Sequence, residues 1–300
     1  MFRNVKTAAV AALVCAMAGP VLAGCDEASE SATPATATGT GNAGQSPISG
    51  TAKITVDGRS VNVSCSGTQV DGQPVVVLLA GLGDGLDKLA DFQKTLSEKH
   101  RVCSYDRLGE GASDQPPGPQ TLESSGKVLT GVLDRVAGGR PAVLAAHSMG
   151  GLIAARYTPA HQDRVAGLVL MDATPSTIVA DTSAGIPESA TGPAAEARAG
   201  AVAGYTGQNP EQLSIQDGEV GYAGDIPVVV IRHGQPYLAQ QIPQYGEALE
   251  KAWTAGQEKW LDLSSRSEAV VATTSDHYIY VNQPAIAVEA VQHVIAEAKN

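Results

Sequence analysis

Short, unbroken apolar runs recur along this chain at a spacing that few folds accommodate. The first is Pro74-Val75-Val76-Val77-Leu78-Leu79, and similar runs stand at residues 101–105, 142–145, 167–171, 227–231 and 269–272. A strand with one wet face alternates apolar and polar residues; a continuous apolar run suits a strand buried on both faces. Helical patterns lie between the runs. Residues 87–99 bring Leu89, Phe92 and Leu96 to one face, and residues 122–137 do the same with Val128, Leu129, Val132 and Val136. A last helix opens at Pro284 and carries Ile286, Val288, Val291, Val294 and Ile295. Strand alternating with helix predicts an α/β domain with a mostly parallel central sheet flanked by helices, because parallel neighbours need crossovers and the crossover helices cover the sheet. Ahead of the first run, two alternating segments flank Asp57-Gly58, which predicts an N-terminal antiparallel hairpin. Residues 174–225 break the rhythm. They are rich in Ala, Gly and Pro and too long for an ordinary connection, so they read as a small inserted lid.

The run at 142–145 leads directly into Ala146-His147-Ser148-Met149-Gly150, and Gly151 to Ala155 reads as a helix. A serine with small residues two positions to either side, between a buried strand and a helix, is the pattern of a sharp turn that presents its hydroxyl. A larger side chain at either flank would crowd that turn. Ala146 stands where glycine is usual. The turn also aims the backbone N–H of Met149 at the space above Ser148, where negative charge would develop. Ser148 is therefore the candidate nucleophile.

Such a serine needs a base and an acid. Of six histidines, His100 precedes a strand, His161 falls in a surface loop and His293 in the last helix. His147 adjoins Ser148 but points away from it, and His233 ends a strand without other matching context. His277, between the last strand and the last helix, is the expected base. Asp172 directly ends the run at 167–171, and a carboxylate there must be paired or hydrogen-bonded. It is the expected acid. The loop after residue 231 contains no carboxylate, so Glu247 and Glu250 are the alternatives, and Asp276 is assigned to shaping its own loop. Ala80-Gly81-Leu82-Gly83-Asp84-Gly85 follows the first run; its glycines let backbone approach a substrate, and the Leu82 N–H is the expected second donor to an oxyanion.

The chain carries a net charge of −11, which excludes nucleic acid and a basic membrane-binding surface as partners. Arg3 and Lys6 precede an uncharged apolar stretch that closes on Leu22-Ala23-Gly24-Cys25. Residues 1–24 read as a secretory leader with a lipobox-like end, and Cys25 as the lipidation site. An uncleaved membrane anchor is the alternative. Residues 25–50 read as a disordered tether, too poor in large apolar residues to fold. Residues 51–300 are then one domain, exported and lipid-anchored to the outer face of a bacterial cell membrane. In that oxidising setting Cys65 and Cys103 are expected to form a disulfide, with two buried free thiols as the alternative.

Taken together, the Cys65 that precedes the first buried run, Cys103-Ser104-Tyr105-Asp106-Arg107, His147-Ser148-Met149-Gly150-Gly151 and His277-Tyr278-Ile279 resemble the α/β-hydrolase superfamily, and more closely its exported actinobacterial-type members. The resemblance covers about residues 51–300 except the lid. It implies the α/β-hydrolase fold and a serine hydrolase activity, supports the Cys65–Cys103 bridge, and makes Asp106 and Arg107 structural. A serine in the turn argues against the haloalkane and epoxide branches of the fold, which carry aspartate there. The histidine usual before the first glycine is Ala80 here. The implied reaction is hydrolysis of a small-molecule carboxylic ester through an acyl-enzyme, without metal or organic cofactor. Amide or peptide hydrolysis is the alternative chemistry, and a non-catalytic surface binding protein is the alternative function. The Gly-rich, acidic lid suggests short or medium acyl groups.

Overall fold

Eight strands form one sheet in the computed structural model, which describes residues 46–298. The leader, Cys25 and most of the tether lie outside the described residues. In chain order the strands are β1 (Gly50–Val56), β2 (Arg59–Ser66), β3 (Val76–Leu79), β4 (Val102–Tyr105), β5 (Ala142–His147), β6 (Val165–Met171), β7 (Pro227–His233) and β8 (Arg266–Ala272). Their spatial order is β1-β2-β4-β3-β5-β6-β7-β8. The first two pairings, β1 with β2 and β2 with β4, are antiparallel; every later neighbour is parallel.

The apolar runs are continuous because alternate residues serve two separate cores. Val77, Leu79, Leu144, Leu168, Leu170 and Val230 face one side of the sheet, where α2 (Leu122–Ala137) and α3 (Ser148–Tyr157) pack. Val76, Leu78, Val143, Val169 and Ile231 face the other, against α1 (Ala90–Ser97) and α8 (Pro284–Glu297). A strand sandwiched this way has no solvent face on which to place a polar residue. β8 is the exception: it lies at the sheet edge and much of it is exposed. Cys65 and Cys103 sit directly opposite each other on β2 and β4 and are joined by a disulfide, with Cα atoms 4.1 Å apart.

Residues between β6 and β7 form α4 (Ile178–Gly185) and α5 (Pro193–Tyr205) above the C-terminal edge of the sheet. A second segment after β7, α6 (Tyr237–Gln241) and α7 (Gly246–Lys259), packs against α4 and completes the cover. The composition of residues 174–225 signals only the first of these two segments. Among the described residues no helix is long and apolar enough to cross a membrane.

Candidate active site

The register of the parallel strands brings distant residues to one edge. Ala146 on β5 pairs with Leu79 on β3, His147 with Met171 on β6, Met171 with Ile231 on β7, and His233 with Ala272 on β8. Ser148, Asp172 and the loops after β3, β7 and β8 therefore leave the sheet together at its C-terminal edge, which is where open α/β sheets place their ligands.

Ser148 has φ of +51°, a left-handed conformation that a residue with a Cβ adopts only under constraint. The constraint is visible two residues on. A Cβ on Gly150 would overlap the carbonyl oxygens of Leu79 and Ala80, so only glycine lets α3 start this close to β3. Ala146, on the other flank, is fully buried. Asp172, directly after β6, lies in the same left-handed region, at +47°. Two adjacent strands are thus each followed directly by a strained residue with a polar side chain.

His277 bridges them. Its Nε2 lies 2.9 Å from the Ser148 Oγ and its Nδ1 lies 2.6 Å from the Asp172 Oδ2. Asp172 has no exposed surface. It accepts further hydrogen bonds from the His233 ring Nδ1 at 2.8 Å, the His233 backbone N–H at 3.1 Å and the Trp253 Nε1–H at 3.0 Å. Burial alone would raise the Asp172 pKa; the hydrogen bonds from His233 and His277, and their charge, outweigh it and hold the carboxyl well below its ordinary range. Glu247 is exposed on α7. Glu250 reaches His233 Nε2 at 2.8 Å rather than His277.

His147 meets His277 from the other side. Its Nε2–H donates to the His277 carbonyl at 2.9 Å, and the two rings stand 4.5 Å apart. Burial, with the charge on His277 second, pulls the His147 pKa down to about 3, so the ring is a neutral donor. The role of His147 is thus to hold the His277 loop.

Leu82 lines the cavity in front of Ser148, and Met149 follows Ser148 in the first turn of α3, where backbone N–H groups lack intrahelical partners. The loop that carries Leu82 is held from below. Arg107 donates to the carbonyls of Ala80 at 2.6 Å and Gly81 at 2.8 Å while its other donors grip Glu211, and Glu110 accepts the Gly83 N–H at 3.0 Å. The Arg107–Glu211 pair is buried, and Glu211 lies in the segment that carries α4 and α5. Asp106 accepts the Leu86 and Ala112 N–H groups and shapes the turn beside it. A cavity of about 340 Å³ opens above Ser148 and His277. Its walls are mostly apolar, with Ile178 and Ile186 from the first cover segment and Leu238, Ile242, Leu249 and Trp253 from the second.

A family model described as the α/β hydrolase fold matches residues 74–198, from β3 through the turn at Ser148 into α5. The chain has the α/β-hydrolase fold. Solved structures agree over most of its length. The enol-lactonase of Burkholderia xenovorans LB400 superposes with a TM-score of 0.56 at 20% identity, covering 82% of this chain and all of that one. Carboxylesterase CesB of Bacillus subtilis gives 0.56 at 16% identity, over 82% of this chain and 91% of that one. At such identities the likeness is one of fold. Among curated sequences, the human (lyso)-N-acylphosphatidylethanolamine lipase is 31% identical over 113 residues, 37% of this chain and 33% of that one. Two others of similar identity are covered over only 37% and 42% of their lengths. Within this α/β-hydrolase fold, the sequence signals for Ser148, His277 and Asp172 concern residues that the structure brings into one hydrogen-bonded row. Thr174 is new: its hydroxyl lies 3.5 Å from Ser148 Oγ and 2.9 Å from the Tyr205 hydroxyl of α5. Nothing local marks it, since its partners lie 26 and 31 residues away.

Proposed function

We propose that this protein is a serine hydrolase that cleaves small carboxylic esters through an acyl-enzyme, with Ser148 as nucleophile, His277 as general base and Asp172 as the acid that orients it. The single observation that carries this reading is the row Ser148 Oγ–His277 Nε2–His277 Nδ1–Asp172 Oδ2, with contacts of 2.9 and 2.6 Å, at the floor of the apolar cavity.

In this reading the His277 Nε2 takes the Ser148 proton as Oγ attacks the ester carbonyl carbon. The N–H groups of Leu82 and Met149 receive the oxyanion; losing one such donor costs about 10²–10³ in rate. His277 then passes its proton to the departing alcohol, and water, deprotonated by the same ring, releases the acid. Asp172 keeps the Nδ1–H tautomer in place, which leaves the Nε2 lone pair facing the serine. The cavity's volume and apolar walls favour a short or medium acyl group over a long chain. The leader motif supports the further proposal that the domain works outside the cytoplasm, tethered through Cys25.

A fluorophosphonate probe tests the reading. Wild type is expected to be labelled at Ser148, and Ser148→Ala is expected to lose both labelling and hydrolysis of p-nitrophenyl butyrate. Folded wild type that neither labels nor turns over any nitrophenyl ester would instead favour a non-catalytic role for the fold.

A further inference from the structure

His233 ends β7 against two carboxylates. Its Nδ1 lies 2.8 and 2.9 Å from the two oxygens of Asp172, and its Nε2 lies 2.8 Å from Glu250 Oε2. A neutral imidazole offers one donor and one acceptor, so between two ionised carboxylates it would aim a nitrogen lone pair at an oxygen lone pair. Either the ring carries both protons or one carboxylate carries one. The surroundings decide the placement of that proton. Asp172 faces N–H groups from His277, the His233 backbone and Trp253 as well as the His233 ring, all of which favour its anion. Glu250 accepts backbone N–H groups from Leu238 at 2.7 Å and Ala239 at 3.4 Å through its other oxygen, which favours the anion in the same way. The proton belongs to the ring.

We propose that His233 stands as an imidazolium between Asp172 and Glu250, a positioning residue that fixes the acid and limits the negative charge beside the base. This rests on the catalytic reading of Ser148 and His277. The ring is buried at 4% exposure, with Tyr237 of α6 edge-on at 4.9 Å and Trp253 of α7 at 6.3 Å. The charged or titratable groups around it are Asp172 on β6, Glu250 on α7, Tyr237, the neighbouring Arg232, and His277 across Asp172. Burial opposes a charge on His233, but its hydrogen bonds and charge interactions with Asp172 and then Glu250 outweigh burial and raise its pKa above the ordinary value. With the imidazolium in place, Glu250, His233 and Asp172 together carry one negative charge. Without it they would carry two, and His277 would bind its proton more tightly and be a poorer base at neutral pH. His233 also gives the second cover segment a route to the reacting atoms, because α7 supplies Glu250 and Trp253.

The direct test is the ring ¹⁵N spectrum of wild-type protein labelled at histidine, with His233 assigned by its absence in His233→Gln. At pH 7.5 an ordinary histidine, with a pKa near 6.5, would be about one-tenth protonated. The expected result is a His233 ring with protons on both nitrogens at pH 7.5, and loss of the second proton at lower pH in Glu250→Gln. One bare nitrogen in wild type at pH 7.5, or no change in Glu250→Gln, overturns the proposal. The second readout is the pH profile of kcat/KM. His233→Gln is expected to move the acid limb upward by about one pH unit, since removal of a nearby positive charge favours protonation of the base. A loss of plateau rate with the acid limb unmoved would mark a purely structural role and overturn it. The spectrum does not depend on turnover, whereas Ser148 labelling reads the catalytic assignment, so failure of one is distinct from failure of the other.

Discussion

Replacing Asp172 by asparagine probes the site most sharply, because the change preserves shape while reversing one hydrogen-bond role. In wild type two carboxylate oxygens accept from four donors: His277 Nδ1 at 2.6 Å, the His233 ring at 2.8 Å, the His233 N–H at 3.1 Å and Trp253 Nε1 at 3.0 Å. Asparagine keeps one accepting oxygen and replaces the other with two N–H donors. Oδ1 takes three of the four donors and Oδ2 faces His277, so the amide oxygen is expected to settle toward His233 and Trp253, with its NH₂ toward His277. The base then presents Nδ1 as an acceptor and carries its proton on Nε2, where it can no longer take one from Ser148. The same exchange in a serine protease triad lowers kcat about 10⁴-fold through the wrong tautomer. At about 1.36 kcal/mol per decade that is roughly 5 kcal/mol of lost transition-state stabilisation. The expectation here is a fall of about 10³ to 10⁴ in kcat with a much smaller change in KM. The assay is p-nitrophenyl butyrate hydrolysis at pH 8, normalised to the folded fraction by circular dichroism. A folded Asp172→Asn that keeps more than about one-tenth of wild-type kcat would refute the assignment.

Three further outcomes follow from the structure. The Cys65–Cys103 bridge closes a span of 38 residues, for which the chain-entropy relation gives about 4 kcal/mol; the double serine variant should lose most of this in urea unfolding, and a loss under about 1 kcal/mol would contradict that account. His147 is buried neutral with its pKa pulled down to about 3, so the unfolded chain binds the extra proton as pH falls below about 6.5 and stability drops through that window, by about 2 kcal/mol at pH 5. Loss from Asp172, whose pKa is depressed from a carboxylate value, begins only below about pH 4, so His147→Gln should flatten the change between pH 6.5 and 5; a variant that weakens as steeply as wild type would exclude His147 as the cause. Cys25→Ala should abolish incorporation of labelled palmitate and release the protein from the membrane fraction of a bacterial host, whereas membrane retention without label would favour an uncleaved anchor.

The features legible from sequence are those whose physical cause is local. An apolar run at residues 74–79 or 142–145 must be sandwiched between two layers, because it leaves no position for a solvent face. The turn at Ser148 is equally local, since the small Gly150 is required within two residues of it by the close approach of β3. The composition shift at 174–225 likewise marks the cover that carries Ile178 and Ile186. His233 and Glu250 were legible only in part. Their residue types invite chemistry, but Asp172 and His233 are 61 residues apart and His233 and Glu250 are 17 apart.

What the sequence by itself determined is the layered sheet, the sharp turn at Ser148 and the loop that carries His277, each dictated by side-chain periodicity or backbone sterics within a few residues. What only the tertiary structure decided is which carboxylate meets His277, that a second histidine shares it, and that residues 237–259 help roof the cavity. The reason is register. Met171 pairs with His147 on one side and Ile231 on the other, so Asp172 emerges beside both Ser148 and His233, and the hydrogen bonds that align those strands are backbone bonds with no side-chain signature.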